Sequence, residues 1–253
     1  MDCFYKKDNQ IYLDKNFLIP VYTIPGNHDY RNKLLNPLDI DRELTNYHSV
    51  VENRYANSND NYVITYDELC LFFMNSGPDY LEDPTDWSKV LGDGLYESDI
   101  QWLENTLDEC EAEKKIVLIH HPVINDRNEF GAMKDVIARN RVTFINMCLN
   151  NDIEIVLTGH THRSVVFDSE ENIYSNLPIN CNYYSTLFIQ TDDCKQGMHY
   201  RNISYLNGDL IVENSKEVEI KSKQKVIEYT KIYLFKYINY FPILKFLLSI
   251  VNL

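Results

Sequence analysis

Three short polar segments hold the residues in this sequence whose types and spacing are best suited to chemistry. They are residues 26–29 (Gly-Asn-His-Asp), 120–122 (His-His-Pro) and 159–162 (Gly-His-Thr-His), and the last two contain four of the seven histidines. Imidazole nitrogens suit Zn, Mn, Fe or Ni, and an amide oxygen such as that of Asn27 suits the harder of these metals. His160 and His162 are two positions apart, so in an extended loop both side chains can point to one side and reach adjacent ions. The pattern indicates a metal site.

Each of these segments follows a run of residues that reads as a β-strand. An apolar, β-branched run at 17–24 ends in Pro25-Gly26, a buried run at 116–119 enters His120, and a run at 153–157 enters Gly159. In α/β proteins the strand ends bring side chains together at a shared crevice. We therefore expect the three segments to meet in space.

The rest of the chain alternates between helical and strand patterns before it becomes mostly strands. Residues 62–74 read as two strands around a turn at Asp67-Glu68, and residues 136–149 read as a helix. A second helix is predicted from a capping box at Ser98 and Gln101, with one apolar face (Ile100, Leu103, Leu107). After Val165 strands are predicted at 184–190, 199–205 and 210–212, the last after an Asn207-Gly208 turn. This order indicates an α/β layered sheet.

Each polar segment also has a purely structural interpretation. Asn27 and Asp29 after a glycine can form a simple turn, because such side chains bond to their own backbone. His121 beside Pro122 can be a core histidine with satisfied hydrogen bonds, and His-x-His occurs by chance. The presence of all three segments, each at a strand end, favours a functional site.

In this order the segments resemble the last three motifs of the calcineurin-like metallophosphoesterase family: G-N-H-[DE], a lone His often followed by x-Pro, and G-H-x-H. The resemblance extends from about residue 17 to about residue 212, and implies an α/β fold, a four-layer αββα sandwich with two metal ions at the joined strand ends. It assigns Asn27, His120 and His160 to one ion and His162 to the other. His28 would donate a proton or stabilise charge beside the scissile phosphate, and Asp29 would hold its ring.

The same resemblance implies a reaction. Family members hydrolyse phosphomonoesters or phosphodiesters with a metal-activated water, using two divalent ions for which Mn, Fe and Zn all suit the N/O ligands. The expected substrate is a phosphate-ester small molecule or a nucleotide. The resemblance does not indicate which ester is cleaved.

Two further family motifs, D-x-H and G-D-x-x-D, do not occur before Asn27, so the predicted sandwich lacks its first strands. Asp93 follows Gly92 but comes after the Asn-His motif, and we predict that it is a loop residue. With four ligands for two ions, we expect one ion or two and little turnover from the chain as written. Three interpretations stay open: an N-terminally incomplete piece of an active phosphoesterase, a catalytically inactive binding or scaffold module, and a weakly active one-metal variant.

Charge divides the chain into two predicted parts, a phosphoesterase domain at 1–218 and a basic, apolar tail at 219–253. The formal net charge is −14 at pH 7, which argues against nucleic acid as the partner, because such binders concentrate Lys and Arg. The tail reverses this balance, with six lysines and one glutamate between residues 220 and 253. It could form a helix packed on the domain, a segment on the membrane surface or a tail anchor.

The six cysteines and the amino-terminal residues indicate the compartment. The cysteines are scattered and include no C-x-x-C pair, so we predict reduced thiols instead of a disulfide framework or a zinc ribbon. The first eight residues include no apolar run, so we expect no secretory signal. The predicted location is the cytoplasm, peripheral at the membrane if the tail binds there.

Overall fold

The structure of this protein is a computed structural model that describes residues 4–7, 10–13, 22–30, 40–49, 59–81, 90–126, 136–191 and 199–217. Within these ranges the helices are α1 (Thr45–His48), α2 (Glu97–Asp108) and α3 (Arg141–Asn150), with a 3-10 turn at Cys181–Tyr183. The strands are β1 (Phe4–Lys7), β2 (Gln10–Leu13), β3 (Tyr62–Tyr66), β4 (Leu69–Met74), β5 (Asp79–Leu81), β6 (Val90–Gly94), β7 (Lys114–Ile119), β8 (Ile137–Arg139), β9 (Ile155–Thr158), β10 (Val165–Phe167), β11 (Ile179–Asn180), β12 (Leu187–Gln190), β13 (His199–Leu206) and β14 (Asp209–Glu217).

A six-stranded sheet with the order β10-β12-β9-β7-β4-β3 forms the centre of the fold. Its four inner strands run parallel, and β3 and β10 are antiparallel edge strands. The inner strands are nearly continuous apolar runs, as expected for parallel strands that are covered on both faces. Because these strands are parallel, the carboxyl ends of β4, β7, β9 and β12 meet at one edge of the sheet.

Alternate residues of the inner strands pack into two separate cores. Phe72, Val117 and Val156 belong to a cluster that also contains the buried faces of α2 and α3. Ile116 and Ile155 belong to a second cluster, shared with β11 and β14 of a three-stranded sheet ordered β11-β14-β13. Fully burying an apolar side chain of this size contributes about 1.5–3 kcal/mol. The described layers are thus helices, sheet and sheet, a mixed α/β fold as predicted, and the second helical layer is not found in these ranges.

Several of the predicted elements are confirmed. The two strands at 62–74 are the antiparallel pair β3–β4, turning at Asp67, and α2 buries its predicted apolar face. The 116–119 strand lies inside β7, the 153–157 run overlaps β9, and the 184–190 run contains β12. Asn207 and Gly208, at φ 54° and 85°, form the predicted turn between β13 and β14.

Other predictions need correction. The segment 136–149 is not one helix, because Ile137–Arg139 pairs in parallel with β6 and the helix begins only at Arg141. At the start of α2, Asp99 accepts the Tyr96 backbone N–H at 2.8 Å, so the capping acceptor is Asp99 instead of the predicted Gln101. Of the strand predicted at 17–24, residues 17–21 lie outside the described ranges and 22–24 belong to no strand.

The loop assignment of Asp93 is wrong. Asp93 lies in β6 and is 2% exposed, and it accepts a hydrogen bond from Arg139 Nε at 3.0 Å. The Tyr96 hydroxyl donates to the same carboxylate at 2.8 Å, and Arg42 lies 3.7 Å away. These contacts make Asp93 a structural ion-pair residue that ties β6 to Arg139 at the end of β8.

Among the residues that the structure describes, no helix is long and apolar enough to cross a membrane. The predicted tail at 219–253 lies outside the described ranges, so its three interpretations and the domain boundary stay predictions.

Candidate metal centre

Two neighbouring parallel strands, β7 and β9, bring polar residues to one edge of the central sheet. β7 ends at Ile119 and is followed by His120 and His121, and β9 ends at Thr158 before Gly159 and His160. The Gly159 backbone N–H donates to the His120 carbonyl at 3.0 Å, which joins the two strand ends directly. Because β7 and β9 are neighbouring parallel strands, the second and third polar segments (120–122 and 159–162) lie side by side.

The first segment reaches this edge as a closed turn. The Asp29 backbone N–H donates to the Gly26 carbonyl at 2.9 Å, and the Asp29 carboxylate accepts the Gly26 N–H at 2.8 Å. A Cβ atom on Gly26 would lie 2.8 Å from Cε1 of His120, so only glycine allows this approach. The turn buries Asn27 and exposes His28. Asp29 thus shapes the turn, and its predicted contact with the His28 ring stays a prediction.

The strand ends and the turn bring together Asn27, His120 and His160, three of the four predicted metal ligands. The ligating nitrogens of His120, His121 and His160 all lie within 4.8 Å of one another. The Asn27 Oδ1 atom is 3.0 Å from His120 Nε2. Two ligand atoms that neighbour each other around one ion, at bonds of about 2.0–2.2 Å, lie about 3 Å apart. The spacing of this pair fits a shared ion.

The protonation of His120 also fits a metal ligand. Burial lowers the pKa of the His120 imidazole to about 2, and His121 and His160 lower it as well, while Asp79 raises it. The ring is therefore neutral at physiological pH, which is the form of histidine that binds metal ions. Imidazole nitrogens and an amide oxygen form a ligand set suited to a borderline divalent ion.

His162 is placed differently from His160. Both residues have left-handed backbone, with φ 65° at His160 and 55° at His162, so the prediction of an extended loop is wrong. His160 joins the histidine cluster, whereas His162 is exposed to solvent. Left-handed backbone at residues other than glycine is costly and concentrates at functional sites. The assignment of His162 to a second ion stays a prediction.

Sequence analysis missed two polar residues at the same edge and the contacts of a third. His121 is fully buried, and its Nδ1 lies 2.8 Å from Ser76 Oγ and its Nε2 3.4 Å from Asp79 Oδ1. Asp79 also accepts hydrogen bonds from the Asn27 side chain. Ser76 lies just after β4, so a search of strand ends like the one that singled out β7 and β9 would have found it, whereas Asp79 begins β5.

Gln190 at the end of β12 holds two of the site loops together. It is 1% exposed, accepts a hydrogen bond from the Thr161 hydroxyl at 2.6 Å and donates to the Ile124 carbonyl at 2.8 Å. We expect Gln190→Leu to lower the free energy of unfolding by about 2 kcal/mol, because both buried hydrogen bonds are lost. Chemical denaturation measures this loss. Gln101→Leu on the exposed face of α2 is the control, and equal stabilities of the two variants would contradict the expectation.

Comparison with known proteins identifies one family and two related proteins. A model of the calcineurin-like phosphoesterase family matches residues 4–164. Purple acid phosphatase 3 of Arabidopsis thaliana is 24% identical over 167 residues, which covers 63% of this chain and 42% of that protein. A probable cyclic nucleotide phosphodiesterase of Coxiella burnetii is 22% identical over 169 residues, which covers 66% of this chain and 58% of that protein.

Among solved structures, a purple acid phosphatase from yellow lupin seeds aligns with a TM-score of 0.44 and 14% identity, over 78% of this chain and 32% of that one. The chain spans about half the length of the curated relatives that it matches.

Proposed function

We propose that this chain, which belongs to the calcineurin-like phosphoesterase family, takes part in the metal-dependent hydrolysis of phosphate esters. The observation that carries the proposal is the meeting of Asn27, His120 and His160 at one edge of the sheet. The Asn27 oxygen and the His120 nitrogen are 3.0 Å apart, and His120 and His160 belong to one cluster of ligating nitrogens. Imidazole nitrogens and an amide oxygen at this spacing suit Mn, Fe or Zn.

In this proposal Asn27, His120 and His160 hold one divalent ion, and His162 contributes to a second. A bound divalent ion neutralises charge on phosphate oxygens and lowers the pKa of bound water. The residues that hold it stand on strand ends and on a turn closed by two hydrogen bonds, which keeps them in position. The protein's contribution to this proposed site is to hold the ligand residues in fixed positions.

His28 is the proposed proton donor to the leaving oxygen of the ester. It is exposed and directly follows the buried Asn27, so it stands on the solvent side of the ligands where a substrate would enter. It also lies close enough to His120 to influence the pKa of that ring. A positioned imidazole can deliver a proton to a departing alkoxide near neutral pH. Asp29, by closing the turn, sets the direction from which His28 faces the substrate.

The proposed substrates are small phosphomonoesters or phosphodiesters, including nucleotides. The matched relatives are a phosphatase and a probable cyclic nucleotide phosphodiesterase, so the family resemblance supports both ester classes. The net charge of −14 does not oppose an anionic substrate at this site, because bound cations dominate the field close to them.

The proposal is tested on the longest chain that the reading frame encodes, with p-nitrophenyl phosphate and bis-p-nitrophenyl phosphate as substrates. We expect hydrolysis of at least one ester that stops when a chelator removes the metal and returns when Mn²⁺ or Zn²⁺ is added. Calorimetric titration with Mn²⁺ measures binding separately. Metal binding without hydrolysis of any ester would support the alternative, a binding or scaffold module. If the chain neither binds Mn²⁺ nor hydrolyses any ester, that result would contradict the proposed metal centre.

A further inference from the structure

We propose that Asp79 is a positioning residue that determines which end of the Asn27 amide faces the metal centre. The expected effect on metal affinity rests on the proposed function, whereas the evidence is a contact between two residues of the protein. The Nδ2 atom of Asn27 lies 2.9 Å from Oδ1 and 2.8 Å from Oδ2 of Asp79. On its other side, Asn27 Oδ1 lies 3.0 Å from His120 Nε2.

The two ends of an asparagine amide have nearly the same shape and opposite hydrogen-bonding capacity. The oxygen accepts, the nitrogen donates, and only the oxygen can bind a metal ion. An ionised carboxylate can only accept, so Asp79 requires the nitrogen to face it. Asn27 is buried, and its oxygen is consequently the end that faces His120. Without Asp79 the amide loses the contact that distinguishes its two orientations.

Asp79 is itself held by a short chain of buried contacts. Ser76 Oγ accepts the backbone N–H of His121 at 3.1 Å, so its hydroxyl proton can be donated to His121 Nδ1 at 2.8 Å. The Nε2 of His121 then carries the proton and faces Asp79 Oδ1 at 3.4 Å. The ring of His121 is enclosed, since a Cβ atom on Gly92 would lie 2.4 Å from its Cγ. Residues at the ends of β4 and β7 thereby fix the carboxylate that orients Asn27.

The chain contains a matched aspartate that makes the same kind of contact away from these ligands. Oδ1 of Asp99 in α2 accepts hydrogen bonds from the side-chain amides of Asn59 at 2.9 Å and Asn61 at 2.8 Å. Asp99 is 3% exposed, so its loss should disturb the fold at least as much as loss of Asp79. A difference in metal affinity between variants of the two aspartates therefore separates positioning from general stability.

The test measures Mn²⁺ affinity by calorimetry in the wild-type chain, Asp79→Asn, Asp99→Asn and the double variant Asn27→Asp with Asp79→Asn. We expect Asp79→Asn to weaken binding by about 10–100-fold, the usual effect of losing a partner that orients a ligand. The Mn²⁺ affinity of Asp99→Asn should stay within about twofold of the wild-type value, as expected for a residue that shares no partner with the proposed ligands. The double variant should recover most of the affinity, because the carboxylate introduced at position 27 can accept from the amide introduced at position 79 and still offer an oxygen to the ion.

A second readout needs no metal and separates this inference from the proposed function. In a proton–nitrogen NMR spectrum of the metal-free protein, the Asn27 side-chain amide, assigned by its loss in Asn27→Asp, should exchange slowly with solvent. Its protection should disappear in Asp79→Asn and persist in Asp99→Asn. If the wild type binds no Mn²⁺, the proposed function fails, and this protection alone decides the role of Asp79. Unchanged protection in Asp79→Asn, unchanged affinity in that variant, or a double variant as weak as Asp79→Asn would each overturn the inference.

Discussion

The His120→Ala variant is expected to bind Mn²⁺ at least about 100-fold more weakly than the wild-type chain, beyond the 10–100-fold typical of losing an orienting partner. His120 lies next to Asn27 and His160, the two other residues proposed to hold the first ion. Its ring faces the Asn27 oxygen at 3.0 Å and lies 5.3 Å from the His160 ring, and its carbonyl accepts from the Gly159 backbone. Burial keeps the imidazole neutral and available as a ligand. Metal-dependent ester hydrolysis, where the wild type shows it, should be lost with the metal.

The matched control is His48→Ala. His48 ends α1 and pairs with Asp60 at 3.3 Å, so its removal deletes an imidazole outside the histidine cluster. Thermal unfolding of both variants shows whether the fold persists, and calorimetry with Mn²⁺ measures the affinity. Loss of an orienting partner weakens metal binding by at least about tenfold. A folded His120→Ala protein whose Mn²⁺ affinity falls by less than this would show that His120 is not a ligand.

Gly92→Ala is expected to lower the free energy of unfolding by about 3 kcal/mol, the upper part of the usual range for overpacking. The added Cβ would lie 2.4 Å from Cγ and 2.7 Å from Cβ of His121. The backbone fixes the Cβ atom of His121, so a change of side-chain rotamer leaves the 2.7 Å contact in place. The His121 ring is fully buried and the backbone N–H of His121 donates to Ser76 Oγ, so either β6 or β7 must shift. The same shift should disturb Asp79, which pairs with Gly92.

Gly159→Ala provides the control within the same site. A Cβ atom there would lie 3.7 Å from its nearest neighbour, Nδ1 of His120, which is an ordinary contact distance. This variant should unfold at nearly the same denaturant concentration as the wild type, whereas Gly92→Ala unfolds well below it. Equal transition midpoints for the two variants would contradict the packing of His121 against β6.

The sequence alone was sufficient to predict the mixed α/β fold and the meeting of His120 and His160 at one edge of the sheet. The apolar runs that became β7 and β9 are short and local, and the histidines directly follow them, so a pattern of a few residues determines both. The β3–β4 hairpin, α2 and the Asn207-Gly208 turn are predicted for the same reason. In each case the decisive interactions lie within one segment of chain.

Tertiary structure decided what the local pattern could not. Residues 137–139 have a helical period, but pairing with β6 makes them a strand. Asp93 resembles a loop residue, but the approach of Arg139 and Tyr96 buries it as an ion pair.

The orientation of the Asn27 amide depends on Asp79, which is 52 positions away in the chain. His121 depends in turn on Ser76, 45 positions away. The residue types that could bind a metal are readable from the sequence because strand ends are encoded locally. Which atom of each faces the proposed ion is decided by contacts between segments that are distant in sequence.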